Sequence, residues 1–200
     1  MVAPRLSVEE ALAKWDPDVP SGWERPGSPP ARDAAERERA EVLRLFPLDS
    51  WQSLPLERYA LTGDHTTFCY LMEFGTPSLG GIGGGSARKH LIYKRSADGS
   101  WYFDRRFSSL EEAWESVRSG FTRLFELVNR GEFAGLDAEP LNWAPSLTGK
   151  AVFTYFPDAI VPIYSHAAQQ HFWQLLDGQG EVAWGRDEVR WLEHTNPVGK

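Results

Sequence analysis

The chain has one cysteine, Cys69, among 200 residues. That scarcity excludes intramolecular disulfides and every zinc site built from several thiolates. No run of about 18 apolar residues occurs, which excludes a helical membrane span. The N-terminus MVAPRLSVEEALAKW places Glu9 and Glu10 where a signal peptide needs its apolar stretch. A cytoplasmic protein is expected. A basic surplus is also lacking: 21 Lys and Arg stand against 28 Asp and Glu, for a net charge of −7. This argues against an indiscriminate nucleic-acid coat, which needs a basic face.

Signatures of catalysis are missing as well. Neither GGIGGGSARK nor LTGKA has the spacing of a Walker A loop, in which a lysine reaches the β and γ phosphates and a hydroxyl reaches magnesium. The dinucleotide fingerprint fails too, because Gly80 and Gly83 lie between two expected strands with no helix opening after them. The five histidines, His65, His90, His166, His171 and His194, include no pair four residues apart, so a zinc hydrolase has no support. Cys69 sits in an apolar stretch that favours an inert thiol. Pro157-Asp158 has no acidic-x-Lys triplet downstream to make a magnesium nuclease, which leaves Asp158 as the polar member of a turn. No enzyme activity and no cofactor are expected.

What the chain does have is tryptophan, nine in all, within a composition that is 42% hydrophobic and 24% charged. Those fractions describe a folded globular protein of about one domain. So many indoles need partners for their N–H groups, either in an aromatic core or against a ligand. Residues 1–34 form a proline-rich leader, with 16–32 read as linker or surface loop, and residues 35–200 form a single domain. From Asp33, read as its cap, a helical stripe carries Ala40, Val42, Leu43 and Phe46 and stops at Pro47. TTFCYLMEF (66–74) alternates as a strand with Phe68, Tyr70, Met72 and Phe74 on one face. HLIYKR and SWYFD make a hairpin about Asp98-Gly99. Ser108 or Ser109 caps the clearest helix, where Trp114, Val117, Phe121, Leu124, Phe125 and Val128 recur until Gly131. A linker around NWAPS, the apolar run KAVFTYF, a helix AAQQHFWQLL from Ser165 and an amphipathic RDEVRWLEH complete the chain. Strands in the middle and helices on either side predict an α+β fold, with helices packed on a small antiparallel sheet.

The charge is unevenly spread. Residues 86–106, SARKHLIYKRSADGSWYFDRR, hold six basic residues against two acidic ones, while the stretches on both sides are net negative. Arg88, Lys89, Lys94, Arg95, Arg105 and Arg106 are interleaved with Tyr93, Trp101, Tyr102 and Phe103. Such a pattern either protects a half-exposed hairpin edge or pairs with phosphates while stacking on bases. Six glycines in the twelve residues 75–86, GTPSLGGIGGGS, leave a similar choice. The loop is a flexible connection or a nest of N–H groups that binds an anion, with Ser86, Arg88 and Lys89 at its exit.

Five strings, PLERYAL (55–61), FCYLMEFGT (68–76), LGGIGGGSARKHLIY (79–93), EEAW to VRSGF (111–121) and YFPDAIVPIYSHAAQQHF (155–172), occur in this order. Together they resemble the N-terminal region that precedes the GTPase motor in some McrB-type modified-cytosine restriction proteins of bacteria. The resemblance covers about residues 35–178 and implies a module that recognises modified DNA for a separate AAA+ motor and a partner nuclease. Neither motor nor nuclease motifs occur in these 200 residues, so only the reader is implied, isolated or cut from a longer protein.

A reader of a modified base must sense one small substituent, worth about 1–3 kcal/mol in an apolar pocket, and does this best on a base taken out of the duplex. Trp101, Tyr102, Tyr70 and Tyr93 are the expected stacking residues, and Glu73 the expected acceptor for the cytosine amino group. Gly83, Gly84, Gly85, Ser86, Arg88, Lys89, Lys94, Arg95, Arg105 and Arg106 are expected on the backbone of double-stranded DNA. The rival expectation is a protein-interaction module whose aromatic surplus forms a docking face. An enzyme acting on a small nucleotide is a third, resting on the glycine loop alone.

Overall fold

A computed structural model describes residues 29–84, 86–132, 140–160, 162–164, 170, 171 and 174. The fold is α+β: among the described residues, helices and short turns flank one two-stranded antiparallel sheet in the sequence. Helix α1 (Pro29–Leu45) starts earlier than Asp33, so residues 29–32 are helical rather than linker. Its two opening prolines occupy the first turn, where a missing N–H costs nothing. Val42 and Phe46 are fully buried, Leu43 is half-buried and Ala40 is exposed. A 3-10 turn (Leu48–Ser53) and the short helix α2 (Leu56–Tyr59) come next.

Residues 66–74 are not a strand. Phe68–Tyr70 forms helix α3, which widens into a π turn over Leu71–Gly75. Local capping explains this. Asp64 Oδ1 accepts from the Thr66 N–H at 2.8 Å, and Thr67 Oγ1 accepts from the Tyr70 N–H at 3.4 Å. The buried set is Phe68, Cys69 and Met72, a helical spacing, while Phe74 is turned out and 53% exposed. Cys69 is fully buried, and burial pushes its thiol pKa up.

Two 3-10 turns (Pro77–Leu79 and Ala87–His90) lead to strands β1 (Tyr93–Lys94) and β2 (Trp101–Tyr102). Helix α4 (Leu110–Asn129) forms as its sequence predicts. Ser109 Oγ accepts from the Glu112 N–H at 3.1 Å, and Glu112 reaches back to the Ser108 N–H at 2.7 Å. Its apolar stripe is buried, and Gly131 closes it at φ +73°. After a 3-10 turn (Leu141–Trp143), helix α5 (Pro145–Tyr155) takes up most of the apolar run. The helix expected from Ser165 falls largely outside the described residues, of which Gln170, His171 and Gln174 are helical, and RDEVRWLEH falls wholly outside. Among the described residues no helix is long and apolar enough to cross a membrane.

The core is aromatic. Trp51 is fully buried, with Phe68, Phe121 and Phe125 rings at 4.8, 5.0 and 5.1 Å. Its N–H is satisfied: Nε1 donates to Tyr155 Oη at 2.9 Å, and that hydroxyl donates to the Phe46 carbonyl at 2.6 Å. One chain of bonds thus joins the first 3-10 turn, α5 and the end of α1. Lys150 is also fully buried on α5, and its ammonium donates to the Thr76 carbonyl at 2.8 Å. Burial pushes its pKa down to about 8, against an opposing pull from Glu38.

Candidate functional site

The hairpin is built by its turn. Asp98 Oδ1 accepts from the Ser100 N–H at 2.9 Å, Gly99 takes φ +70°, and the Arg95 N–H meets the Ser100 carbonyl at 2.8 Å. The register pairs Tyr93 with Tyr102 and Lys94 with Trp101. The two tyrosine rings stack at 4.6 Å, and the Arg88 and Arg95 guanidiniums lie 5.6 and 5.7 Å from the Tyr102 ring centre. Lys94 Nζ is 6.0 Å from the Trp101 ring. Beyond β1, the Lys94 N–H donates to the Leu61 carbonyl at 2.9 Å, which fixes the hairpin to the chain after α2.

Most of the residues expected at the site divide among three cavities, and Glu73 and Arg106 line none of them. The first, of about 560 Å³, is lined by Arg88, Arg95, Trp101, Tyr102 and Arg105, with Asp104 beside them. The second, of about 750 Å³, brings Tyr70 and Tyr93 together with Lys94 and Arg95, so Arg95 borders both. A third, of about 430 Å³, lies by the glycine loop, where Gly83, Gly84, Ser86 and Lys89 face Ser146 and Tyr164. Gly85 lies outside the described residues. Ile82, 5% exposed, pins this loop to the core. Ser86 Oγ is a cap, accepting from the Arg88 N–H at 3.2 Å.

Glu73 faces inward. One of its oxygens accepts from Lys89 Nζ and the other meets His90 Nε2 at 2.6 Å, while Lys89 also donates to the Gly84 carbonyl at 2.8 Å. Burial pushes the Glu73 pKa up, but hydrogen bonds from Lys89 and His90 outweigh it, and the net shift is downward. His90 is fully buried; burial lowers its pKa despite the opposing Glu73 carboxylate. A neutral ring donating from Nε2 to an ionised Glu73 fits both shifts, and it leaves Nδ1 buried without a partner. The His90 carbonyl accepts from Tyr59 Oη at 2.9 Å and from the Ile92 N–H at 2.7 Å, which closes a γ-turn with Leu91 at φ +65°. That backbone is strained for leucine and persists because the bonds around it over-determine it. Glu73 and Lys89 therefore hold the π turn, the glycine loop and the start of the hairpin together. Arg106 is engaged within the fold too, with its guanidinium 3.1 Å from the Trp143 ring centre and its Nε bonded to Asp104 at 2.9 Å.

Sequence reasoning missed the two other ring-bearing members of the second cavity, His65 and Phe74. The His65 ring stacks on Tyr70 at 4.3 Å and 9°, and the Phe74 ring lies 5.2 Å from Tyr70. A strand would have turned Phe74 to the same face as Phe68. Only the cap at Thr67 hinted otherwise. Among the described residues no three His, Cys, Asp or Glu side chains group to hold a metal ion. No family model matches the chain, and neither does any curated protein or solved structure.

Proposed function

We propose that this chain reads a modified base, modified cytosine foremost, in double-stranded DNA, as the specificity module of a modification-dependent restriction system. The cutting machinery, an AAA+ motor and a nuclease, is supplied by other domains or chains. The observation that carries this reading is the cavity in which Arg88, Arg95 and Arg105 converge on Trp101 and Tyr102, in a chain whose net charge is −7. Cations beside flat rings suit a polymer of phosphates and bases, and their confinement to one segment suits a docked partner better than a general coat. Such a reader acts on DNA in the cytoplasm. Its task is discrimination, with no bond made or broken by this chain.

The test is a fluorescence-anisotropy titration against duplexes of one sequence carrying cytosine, 5-methylcytosine, 5-hydroxymethylcytosine or a phosphorothioate linkage. The expected result is a preference of at least about tenfold for one modified cytosine, equal to about 1.4 kcal/mol. Equal affinity across the panel sinks base reading.

A further inference from the structure

Phe74 stands out as a large apolar side chain more than half exposed, on the π turn whose neighbouring residue, Glu73, is anchored inward. Wide turns of this kind insert a residue into a helix and re-aim the side chains after it, often where a ligand is met. Here the turn sets Phe74 beside Tyr70, which in turn lies flat on His65, so three rings form one wall of the 750 Å³ groove. Lys94 and Arg95 line the same groove, and none of its lining residues is acidic. An apolar, planar wall with cations around it complements a planar ring that carries an anion. Through Arg95 the groove adjoins the arginine-lined cavity, so a chain of further phosphates has somewhere to go.

We infer that this groove, walled by Phe74, Tyr70 and His65, seats a nucleobase unstacked from a DNA strand, with its phosphate at Lys94 and Arg95. Resting on the function proposed above, this moves the base-reading surface from Trp101 to Phe74. The Trp101 and Tyr102 cavity then holds the neighbouring backbone through Arg88 and Arg105. The groove's volume falls within the range of small-molecule sites and exceeds a bare pyrimidine, leaving room for the sugar. Glu73 is a positioning residue here: it fixes the turn that presents Phe74.

The experiment compares wild type with Phe74→Ala, Trp101→Ala and Arg105→Ala, on the preferred modified duplex and its plain counterpart, with free 5-methyl-deoxycytidine monophosphate as competitor. Phe74 is exposed, so Phe74→Ala is expected to melt at the wild-type temperature. Its preference for the modified duplex is expected to fall by about tenfold while its affinity for plain duplex stays within about twofold. Arg105→Ala is expected to weaken both duplexes alike and leave their ratio unchanged. A preference that survives Phe74→Ala but vanishes in Trp101→Ala overturns the assignment and leaves the function standing. A wild type without preference removes the function and the assignment together. Competition by the free nucleotide at concentrations comparable to the duplex overturns the assignment to a DNA strand in favour of a mononucleotide site.

Discussion

Removing the carboxylate of Glu73 strands two groups at once. Lys89 loses its anion, and His90, fully buried and already with one unpartnered nitrogen, loses the acceptor for the other. Breaking a buried pair from one side typically costs about 3–5 kcal/mol. Glu73→Ala is therefore expected to lower unfolding stability by about 3 kcal/mol, measured as a shift of the urea midpoint, with Glu73→Gln intermediate because it can still accept one bond. The pH dependence has a definite sign. His90 is held below its ordinary value of 6.5, so on acidification the unfolded chain takes up this proton first and stability falls from about pH 6.5 downward. Glu73 is held below its ordinary 4.5, so its contribution is present above that value and is lost as pH drops through its lowered pKa. Both losses run the same way. Urea midpoints at about pH 7.5, 6 and 5 are expected to decline in wild type and to decline less in His90→Gln. Equal slopes in the two proteins would count against the buried neutral ring.

At the scale of elements, the glycine loop contains positions that look alike in sequence and differ in space. Gly80 has φ +92°, and a Cβ there would lie 2.9 Å from Cε2 of Tyr164, whose hydroxyl donates to the Leu79 carbonyl at 2.6 Å. At Gly83 nothing lies within 4 Å of the added carbon. Gly80→Ala is expected to cost about 1–3 kcal/mol in strain and displaced packing. Gly83→Ala is expected to leave stability within about 0.5 kcal/mol, and thermal melts of the two variants decide the matter. A destabilised Gly83→Ala would mean that the loop is packed rather than open. The same loop marks a limit of sequence reading. Helix α4 is legible because its caps and its three- and four-residue spacing agree. The hairpin is legible because Asp98-Gly99 is a strong local signal, although only two residue pairs form in place of longer strands. TTFCYLMEF misleads because aromatic and β-branched residues suit a strand, and packing overrides that preference. With Trp51 and Phe121 to meet, Phe68 is buried as part of a helix, and Phe74 is set free on the other side. The arginine-lined cavity could be read from the sequence since its residues are nearly contiguous. The Phe74 groove could not, since it joins three separate segments only through the tertiary fold.

For the whole molecule the question is how a chain of net charge −7 approaches a polyanion. Many acidic residues lie on the two long helices, Glu36, Glu38 and Glu41 on α1 and Glu111, Glu112, Glu115 and Glu126 on α4, while the hairpin region carries only Asp98 in its turn and Asp104 beside the arginines. The hairpin region supplies the opposite sign, but its six basic residues are not equivalent. Lys89 is bound to Glu73 and Gly84, and Arg106 to Asp104 and the face of Trp143. Arg88, Lys94, Arg95 and Arg105 are exposed on the two adjoining cavities. Each phosphate neutralised on duplex DNA contributes about −0.9 to the slope of log affinity against log salt. Four available cations therefore give an expected slope of about −3.6, against about −5.4 if all six engaged phosphates. Titrations between about 50 and about 300 mM salt, a range in which screening changes strongly, separate the two values. A slope near the steeper value would mean that Lys89 and Arg106 leave their internal partners on binding. A slope near zero would mean that the cations protect the hairpin edge and meet no backbone at all. At the shallower expected value, the local excess of charge docks the protein while the overall negative charge keeps it off unmodified DNA elsewhere.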